Sequence, residues 1–320
     1  MDEFALIARY FAPLAAPEGL ALTDDAATIP LVPGKDLVVT ADAIVEGVHF
    51  LPDDPPDLVA RKLLRVNLSD LAAKGARPAH YVLTVAFPKG TGEEAIAAFA
   101  RGLGEDQARF GVKLLGGDTV ATPGPATFSL TAFGWADGAM LRRGGARPGD
   151  LLFVSGTIGD AGLGLRALTG AAPGLSPALA DFAAARYRLP EPRVSLGPAL
   201  AGLASAALDV SDGLVADAGH MADVSGVNIR IEADRVPLSA AVREALGLGL
   251  MTWADILSAG DDYEILFAAP AGRRAEIAAR AAGAGVAVSE IGRVAHGAGV
   301  AALDGAGMAM TLPEGGYRHF

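Results

Sequence analysis

The sequence predicts an α+β protein with two domains. Its 320 residues are more than a single hydrophobic core usually organises. Hydrophobic residues make up 51% of the chain and charged residues 20%, which is enough apolar material for two packed cores. Predicted strands and helices follow one another irregularly, unlike the strict alternation of a doubly wound sheet. We expect domains at 1–137 and 138–320, because the stretch 136–150 is rich in Gly and Arg and contains a proline.

In the first half, apolar periodicity predicts two long helices between short strands. One helix covers about 58–74, with Asp57 as its N-cap and Gly75 as its stop. The other helix covers 93–110. The strands are expected at 36–40, 80–88, 112–118 and 127–136.

The second half shows the same mixture of elements. Residues 206–226 predict a strand, a turn and a helix that Gly226 ends. Another helix is expected at 273–285. The other predicted strands are 150–156, 263–269 and 286–294.

The chain is acidic, with a formal net charge of −11 and an isoelectric point of about 4.9. An acidic surface repels nucleic acid and anionic membranes, so we expect neither as a partner. The sequence has no cysteine, which excludes disulfides and thiolate chemistry, and no apolar run that approaches a membrane span. Its first residues lack the pattern of a signal peptide, so we expect a cytoplasmic protein. A phosphate-bearing ligand would need metal ions between itself and such a chain.

Asp70 lies on the apolar face of the first long helix. Val59, Leu63, Val66 and Asp70 are spaced by four, three and four residues, which places them on one side of the helix. Asp70 also falls in the last turns, where the helix dipole disfavours an anion by roughly 0.3–1 kcal/mol. A carboxylate placed in this way needs a cation. Lys74, one turn later, is one candidate, and a metal ion is the other.

Asp209 and Asp212 flank a predicted strand-to-helix turn in the segment LDVSDGLVAD (208–217). Ser211 or Asp212 is placed to cap the following helix, whose free N–H groups and partial positive charge suit a phosphate. A cap explains Asp212 but leaves Asp209 unexplained. Two carboxylates beside a phosphate site suit Mg²⁺, which prefers oxygen ligands and bridges to substrate phosphates.

Other aspartates sit beside small residues at predicted turns and strand ends. Asp42 follows the first predicted strand, and Asp118 ends the strand 112–118 after two glycines that would let a ligand approach the backbone. Taken alone, each of these residues could simply form a turn. The same holds for Asp24 and Asp25.

A second adjacent pair of acidic residues lies in SAGDDYEILF (258–267). Here Gly260 precedes Asp261 and Asp262, and a strand is predicted to follow. The position repeats the pattern of small residues and acids at a strand boundary. These two carboxylates could hold a metal or a cationic ligand.

Motifs for several other enzyme classes are absent or weak. No G-x-x-x-x-G-K-[ST] is present, which excludes a P-loop enzyme, and no G-x-S-x-G elbow supports a serine hydrolase. Residues 162–167 match G-x-G-x-x-A, but the glycines lie well past the preceding strand, and the acidic residue that a dinucleotide site requires is missing. The five histidines are unclustered in sequence, which argues against a histidine metal site.

Eight segments in this order resemble the thiamine-monophosphate kinase family, in the superfamily of aminoimidazole-ribonucleotide synthetase and selenophosphate synthetase. They run from residue 3 to residue 320 and are EFALIARYF, DDAA, TADAIVEGVHF, RVNLSDLAAKGARP, GGDT, LDVSDGLVADAGH, SAGDDYEILF and GYRHF. NLSDLAAKGA and DVSDGL are specific as a pair. The resemblance implies ATP-dependent phosphorylation of thiamine monophosphate to thiamine diphosphate. It also implies an N-terminal ATP- and metal-binding domain whose mixed sheet forms a barrel across a homodimer, and a C-terminal α/β sandwich that completes the active site.

The resemblance further implies several Mg²⁺ ions and a set of binding residues. The metal ligands would be Asp25, Thr40, Ala41, Asp42, Asp70, Asp118, Asp209 and Asp212, with backbone oxygens serving at Thr40 and Ala41. ATP would contact Gly117, Asp118, Arg143 and Ser211. The substrate would contact His49, Asp261 and Tyr317.

Three positions depart from the family pattern. Thr23 stands where glycine is common before the DDA segment. TADA replaces the commoner T-D-T, which leaves metal contacts there to the backbone. Asp261 stands where glutamate is commoner, which shortens its reach to a substrate.

The acceptor of the implied reaction is itself a phosphate, largely dianionic at neutral pH because its second pKa is about 6. It needs no general base. We therefore expect catalysis by positioning and metal charge, with in-line transfer, no catalytic side chain and no covalent enzyme intermediate.

Rival functions remain open at this stage. The lack of cysteine argues against selenophosphate synthetase and the hydrogenase-maturation relative, while aminoimidazole-ribonucleotide synthetase fits the motifs less well. From other classes, the alternatives are a non-catalytic Mg–nucleotide-binding protein and an NAD-dependent dehydrogenase. Nucleotide binding without product formation would favour the binding protein, and NAD binding would favour the dehydrogenase.

Overall fold

The computed structural model describes residues 3–24 and 26–312. The chain forms two compact units, the first comprising Met1–Leu71 and Ala76–Ala139 and the second Ala72–Gly75 and Met140–Phe320. Two predicted site residues, Asp25 and Tyr317, lie outside the described residues. The roles assigned above to the domains 1–137 and 138–320 stay predictions.

Up to residue 139, short helical turns precede two long helices and four strands of the described chain. The helices are α1 (Glu3–Leu6), α2 (Pro56–Ala73) and α3 (Glu93–Phe110), with tighter or wider turns at Ile7–Phe11, Ala12–Leu14 and Pro17–Leu22. The strands are β1 (Lys35–Val45), β2 (Ala76–Pro88), β3 (Lys113–Thr122) and β4 (Thr127–Asp137).

The strands of the first unit form a mixed sheet, with order β1-β4-β2-β3 among the described residues. β2 and β3 are parallel, whereas the β1–β4 and β4–β2 pairs are antiparallel. One face of the sheet is covered by helices, since the ring of Phe99 on α3 lies 4.7 Å from that of Phe128 on β4. A buried ion pair of 2.6 Å between Arg65 and Asp106 joins α2 to α3.

β1 and β3 continue beyond their predicted ends, and this moves two site residues. β1 pairs with β4 from Lys35 to Val45, so Asp42 lies within the strand and does not follow it. β3 continues to Thr122 in register with β2, so Asp118 lies mid-strand and does not end it. In both cases the ladder of the neighbouring strand satisfies the backbone beyond the point where the apolar pattern stops.

The helix predictions in this half are confirmed with one correction. α3 has the predicted bounds. Gly75, with a left-handed φ of +72°, follows the end of α2 and stops the helix as predicted. Asp57 is not the N-cap, because α2 already begins at Pro56 and Asp57 lies in its first turn. Proline at the start of a helix has a fixed φ that suits the first turn.

From residue 140 the described chain forms seven helices and six strands. The helices are α4 (Asp160–Leu168), α5 (Pro177–Arg188), α6 (Leu196–Ala199), α7 (Leu214–Ser225), α8 (Ala240–Gly247), α9 (Trp253–Ser258) and α10 (Arg274–Gly283). The strands are β5 (Asp150–Ser155), β6 (Ala206–Asp209), β7 (Asn228–Glu232), β8 (Ile265–Pro270), β9 (Val288–Ala295) and β10 (Gly299–Leu303).

These strands form a second mixed sheet with order β10-β7-β9-β5-β8-β6 in the described chain. β7 and β10 are parallel, and the other neighbours are antiparallel. Apolar cores lie on both faces: Leu152 and Val154 point into one, while Phe153 points into the other and stacks on Phe267 at 5.1 Å. Helices therefore sandwich this sheet.

In the second unit, the start of β8 differs from the prediction, and the glycines of the G-x-G-x-x-A segment have a packing role. β8 begins at Ile265 and not at Tyr263, because Tyr263 has a left-handed φ of +51° that a strand cannot contain. The G-x-G-x-x-A segment lies inside α4, where a Cβ on Gly164 would lie 2.1 Å from the Ala183 carbonyl oxygen. Its glycine serves helix packing.

Within the described residues, no helix is both long enough and apolar enough to cross a bilayer.

Candidate functional site

In the first unit, β1 and α2 bring Thr40, Asp42 and Asp70 together. The Thr40 hydroxyl donates a hydrogen bond of 2.5 Å to the Asp70 carboxylate. Thr40 and Asp42 are two residues apart on a strand, so both side chains point to the helix-covered face. Val59 and Leu63, on the same side of α2 as Asp70, are buried as predicted, and most of the other sides of this helix are buried as well.

Asn67 fixes the distance between the strand and the helix. Its side-chain oxygen accepts a hydrogen bond from the Asp42 backbone N–H at 3.1 Å, and its side-chain nitrogen donates to the Leu63 carbonyl at 2.9 Å. The residue is completely buried. No role was predicted for Asn67, although an asparagine within a buried helical run was an available signal, because buried amides need partners.

The two carboxylates of this cluster, Asp42 and Asp70, repel one another. Burial and the neighbouring Asp70 raise the pKa of Asp42 to about 7. Lys74, the alternative cation for Asp70, donates to the carbonyl oxygen of Ala207 at 3.0 Å. A pair of half-buried carboxylates beside a hydroxyl forms an oxygen-only donor set, which is the type that Mg²⁺ prefers. The residues present therefore fit a magnesium ion.

Asp118 lies elsewhere in the first unit. In the strand register Asp42 is opposite Leu130, Leu130 is opposite Leu83, and Leu83 is opposite Gly117. Because strand side chains alternate, Asp118 points to the other face of the sheet from Asp42. There it lines a cavity of about 570 Å³ together with Asp24.

Gly117 has a packing reason in this structure. A Cβ at this position would lie 1.7 Å from the Leu83 carbonyl oxygen, whereas a Cβ on Gly116 would meet nothing within 4 Å. The close approach that requires glycine at position 117 is therefore between β3 and β2. Gly117 also lines the cavity that holds Asp118.

His49 and Ala41 occupy different parts of the same unit. His49 lies in the turn after β1, where its Nδ1 accepts a hydrogen bond from the Val45 N–H at 3.1 Å. This bond leaves the proton on Nε2.

Ala41 lies between Thr40 and Asp42 on β1, an edge strand on which alternate backbone groups point away from the sheet.

In the second unit, the loop between β6 and α7 is held by Asp217. One carboxylate oxygen of Asp217 accepts hydrogen bonds from the backbone N–H groups of Ser211 and Asp212, both at 3.0 Å. The prediction that Ser211 or Asp212 caps α7 is wrong. The residue before the helix is Gly213, which has φ of +114° and no side chain to cap with. The buried aspartate in the first turn replaces the cap by reaching back to the loop.

The surroundings of Asp217 join it to two predicted site residues. Burial raises the pKa of Asp217 to about 7, and the negative charge of Asp212 adds to the rise. The hydrogen bonds from the backbone N–H groups of Asp212 and Ser211 and the positive charge of Arg143 oppose it. Arg143 is therefore close enough to the support of the Ser211–Asp212 loop to act on it electrostatically. Asp209 is buried at the end of β6, immediately before this loop.

His220 adds a residue that sequence analysis did not select. Its Nε2 lies 4.0 Å from an Asp212 carboxylate oxygen, and one ligand atom from each of Asp212, Asp217 and His220 lies within 4.8 Å of the others. The histidines do not cluster with one another in this group, but α7 places one of them, His220, one turn after Asp217. The spacing D-x-x-H on a predicted helix was the available signal. These three residues also fit a divalent cation.

Asp261 is attached to the same loop through the backbone. The N–H of Asp261 donates to the Ser211 carbonyl, and the N–H of Tyr263 donates to the Val210 carbonyl, both at 2.8 Å. Gly260 allows this approach, because a Cβ there would lie 2.3 Å from the Ser211 carbonyl oxygen. The structure thus brings Asp261 beside Ser211, as the predicted site requires.

Asp262 has a different environment from its neighbour. Its two carboxylate oxygens accept hydrogen bonds from the N–H groups of Gly159 at 2.6 Å and Ala161 at 3.1 Å, at the start of α4. Burial raises the pKa of Asp262, and the Gly159 N–H opposes that rise. The suggestion that this carboxylate holds a metal or a cationic ligand is corrected, because its oxygens serve the N-terminus of α4.

Comparison with known proteins gives the family. Residues 23–136 match the model of the AIR synthase related protein, N-terminal domain, and residues 147–304 match that of the C-terminal domain. A thiamine-monophosphate kinase from Caulobacter vibrioides is 48% identical over 314 residues, which cover 94% of this chain and 86% of that protein. The chain belongs to the thiamine-monophosphate kinase family.

Solved structures of the thiamine-monophosphate kinase family share the whole fold. The enzyme from Stenotrophomonas maltophilia K279a superposes with a TM-score of 0.85 at 40% identity, covering 97% of this chain and 98% of that chain. AaThiL complexed with AMPPCP and TMP superposes with a TM-score of 0.80 at 31% identity, covering 99% and 97%. The mixed α+β fold with two sheets is therefore confirmed.

Proposed function

We propose that this chain transfers the γ-phosphoryl group of ATP to thiamine monophosphate and releases ADP and thiamine diphosphate. The observation that carries the proposal is the relationship to thiamine-monophosphate kinases over nearly the whole chain. One member of that family has been solved with AMPPCP, an ATP analogue, and TMP bound together. The clusters around Asp70 and Asp212 supply the acidic residues that such a reaction needs on a chain without a P-loop.

Magnesium is the cofactor that fits the donor atoms of both clusters. Asp42 and Asp70 would hold it in the first unit, and Asp212 with Asp217 in the second. Asp118, Asp209, Asp25 and the backbone at Thr40 and Ala41 complete the proposed ligand set. Bound magnesium supplies positive charge that offsets the repulsion between two phosphate-bearing substrates.

The chain's own residues bind and orient the phosphates. Arg143 is exposed and offers charge-assisted donors to phosphate oxygens, and the Ser211 hydroxyl lies on the adjacent loop. His49, Asp261 and Tyr317 are the proposed substrate contacts, and Gly117 a nucleotide contact. Because the acceptor phosphate is already a nucleophile, no side chain needs to remove a proton, and transfer proceeds without a covalent enzyme intermediate.

A homodimer is part of the proposal. The face of the first sheet that is not covered by helices exposes apolar side chains, including Val39 at 52% and Val120 at 46%. A second copy of the chain would bury this face and close the two sheets into a barrel. Light scattering should show a dimer that Val39→Asp dissociates. A wild-type monomer at micromolar concentration would overturn the proposed homodimer.

The cytoplasmic location stays a prediction.

The decisive experiment measures ADP release by a coupled assay, with Mg·ATP and thiamine monophosphate as substrates. We expect release that depends on both substrates and on magnesium, and thiamine diphosphate as the product. Calorimetry with Mg·AMPPCP in parallel confirms that the nucleotide site is intact. Nucleotide binding without ADP release would contradict the kinase and favour a non-catalytic binding protein.

A further inference from the structure

The segment that carries Asp261 has two faces with different surroundings. Asp261 and Tyr263 are half-buried, whereas Asp262 and Glu264 are buried at 1% and 0% exposure. The buried pair is anchored. Asp262 accepts N–H groups from the start of α4, and Glu264 accepts hydrogen bonds from the Ser155 hydroxyl and the Arg193 guanidinium, both at 2.6 Å.

The same segment has a strained backbone. Asp261 has φ of +69° and Tyr263 has φ of +51°, a left-handed conformation that residues with a Cβ rarely adopt. Such residues persist only where the surrounding structure fixes them. Asp262 lies between the two, so its hydrogen bonds to Gly159 and Ala161 hold the strained part of the chain at its centre.

The strained segment is also coupled to the loop with the predicted metal and ATP residues. The N–H groups of Asp261 and Tyr263 bond to the carbonyls of Ser211 and Val210. If the segment relaxed to ordinary φ values, these bonds would be lost or displaced. The position of Ser211, and of Asp212 next to it, therefore depends on the segment that Asp262 anchors.

We propose that Asp262 is a positioning residue for phosphoryl transfer: its buried carboxylate fixes the strained segment 260–263 to α4 and thereby sets the places of Asp261 and Ser211. The proposal rests on the proposed function for its catalytic consequence. Its structural consequence, a loosening of two bonded loops, can be measured without turnover. A misplacement of about 1 Å far from the reacting atoms is enough to cost a reaction about 100-fold.

Asp150 provides a matched control in the same unit. It is buried at 5% exposure and its carboxylate accepts a backbone hydrogen bond from Arg147 at 3.0 Å. It lies at the start of β5, whereas the Glu264 contact Ser155 lies at the end of that strand. Removing either carboxylate leaves backbone N–H groups without their acceptor, two at the start of α4 for Asp262 and that of Arg147 for Asp150. Both substitutions therefore test stability, and only one of them tests positioning.

The experiment compares Asp262→Ala, Asp262→Asn and Asp150→Ala with wild type, below the unfolding temperature of each. For Asp262→Ala we expect kcat/KM for thiamine monophosphate to fall by about 30- to 100-fold. Asp262→Asn, which keeps one acceptor oxygen, should recover part of that loss. Asp150→Ala should stay within about threefold of wild type, since the hydrogen bond of its carboxylate lies within its own turn.

Amide hydrogen exchange separates a local loosening of the two loops from a general loss of stability, which would accelerate exchange throughout the second unit. In Asp262→Ala, exchange should accelerate at 210–213 and 260–264 more than in the rest of the second unit. Unchanged exchange in both segments, or equal losses of kcat/KM for Asp262→Ala and Asp150→Ala, would overturn the proposal. If wild type shows no ADP release, the proposed function fails, and the exchange result alone decides whether Asp262 positions the loops.

Discussion

The two units place their acidic clusters by different means. In the first unit, Thr40 and Asp42 lie on a strand and Asp70 on a long helix, all with ordinary backbone conformations. In the second unit, Asp212 and Asp261 lie on loops that bond to each other through their backbones. A site on regular elements takes its geometry from the fold, whereas a site on loops needs residues dedicated to holding the loops.

The difference predicts different sensitivities. In the first unit, changing a carboxylate should alter charge and leave the geometry unchanged. In the second unit, the buried carboxylates of Asp217 and Asp262 hold the backbone, so changing them should alter geometry as well as charge. Left-handed residues such as Asp261 and Tyr263 store backbone strain that those contacts must balance.

The largest effect is expected from Asp70→Asn. The substitution removes a charge from the cluster but keeps an acceptor for the Thr40 hydroxyl, so turnover should fall by about 1,000-fold with the fold intact. Stability should be unchanged or higher, because repulsion from Asp42 is relieved. The coupled assay and thermal unfolding measure the two effects. Asp53→Asn, an exposed aspartate before α2, is the control. Near-normal kcat at saturating Mg²⁺ would refute the assignment of Asp70 as a metal ligand.

Gly117→Ala tests the close packing of β3 against β2 in the first unit. The added Cβ would overlap the Leu83 carbonyl, so the free energy of unfolding should fall by about 2–3 kcal/mol. Gly116→Ala is the matched control, since its Cβ meets nothing within 4 Å. Urea unfolding followed by circular dichroism measures both. Equal stabilities of the two variants would show that β3 and β2 can separate there without cost.

The sequence allowed the place of Asp70 to be predicted because α2 follows a helical period, whereas the metal roles of Thr40 and Asp42 were implied only by the family resemblance. The 3.6-residue repeat of α2 placed Asp70 on the side of Val59 and Leu63, which are buried, and Asp70 lies there half-buried. The sequence did not reveal that Asp118 points to the opposite face from Asp42, because strand length and register depend on the pairing partner. The contacts that form a helix join residues close in sequence, whereas the register of a strand depends on residues far away in sequence.

The second cluster was only half predicted, for a related reason. Asp212 and Ser211 were found because DVSDG has the composition of a strand-to-helix turn. Their supports, Asp217 and Asp262, were not found, because each bonds to backbone N–H groups that no motif marks. In sequence, an aspartate that bonds back to the loop before its helix cannot be told from one that simply lies in an acidic first turn.

Asp217→Ala tests the loop support in the second unit. Two N–H groups, those of Ser211 and Asp212, would lose their acceptor, which should cost about 1–3 kcal/mol of stability. Turnover should fall by at least about 30-fold, because the loop moves and the proposed magnesium site loses a carboxylate. Asp223→Asn, an exposed aspartate on the same helix, should change neither quantity. A full loss of activity at unchanged stability would instead indicate that Asp217 acts through its charge alone.

The smallest effect is expected from His220→Ala, and it tests whether the second cluster accepts cations other than magnesium. An imidazole beside two carboxylates favours Mn²⁺ over Mg²⁺, because Mg²⁺ binds oxygen ligands almost alone. Without nucleotide, the affinity for Mn²⁺, measured by electron paramagnetic resonance, should weaken about fivefold. The affinity for Mg²⁺, measured by competition, should stay the same. His296→Ala is the control, since His296 is exposed between β9 and β10. An equal effect of both substitutions would place Mn²⁺ elsewhere and leave His220 as a surface partner of Asp212. The first cluster contains no histidine, so its Mn²⁺ affinity should not respond to either change.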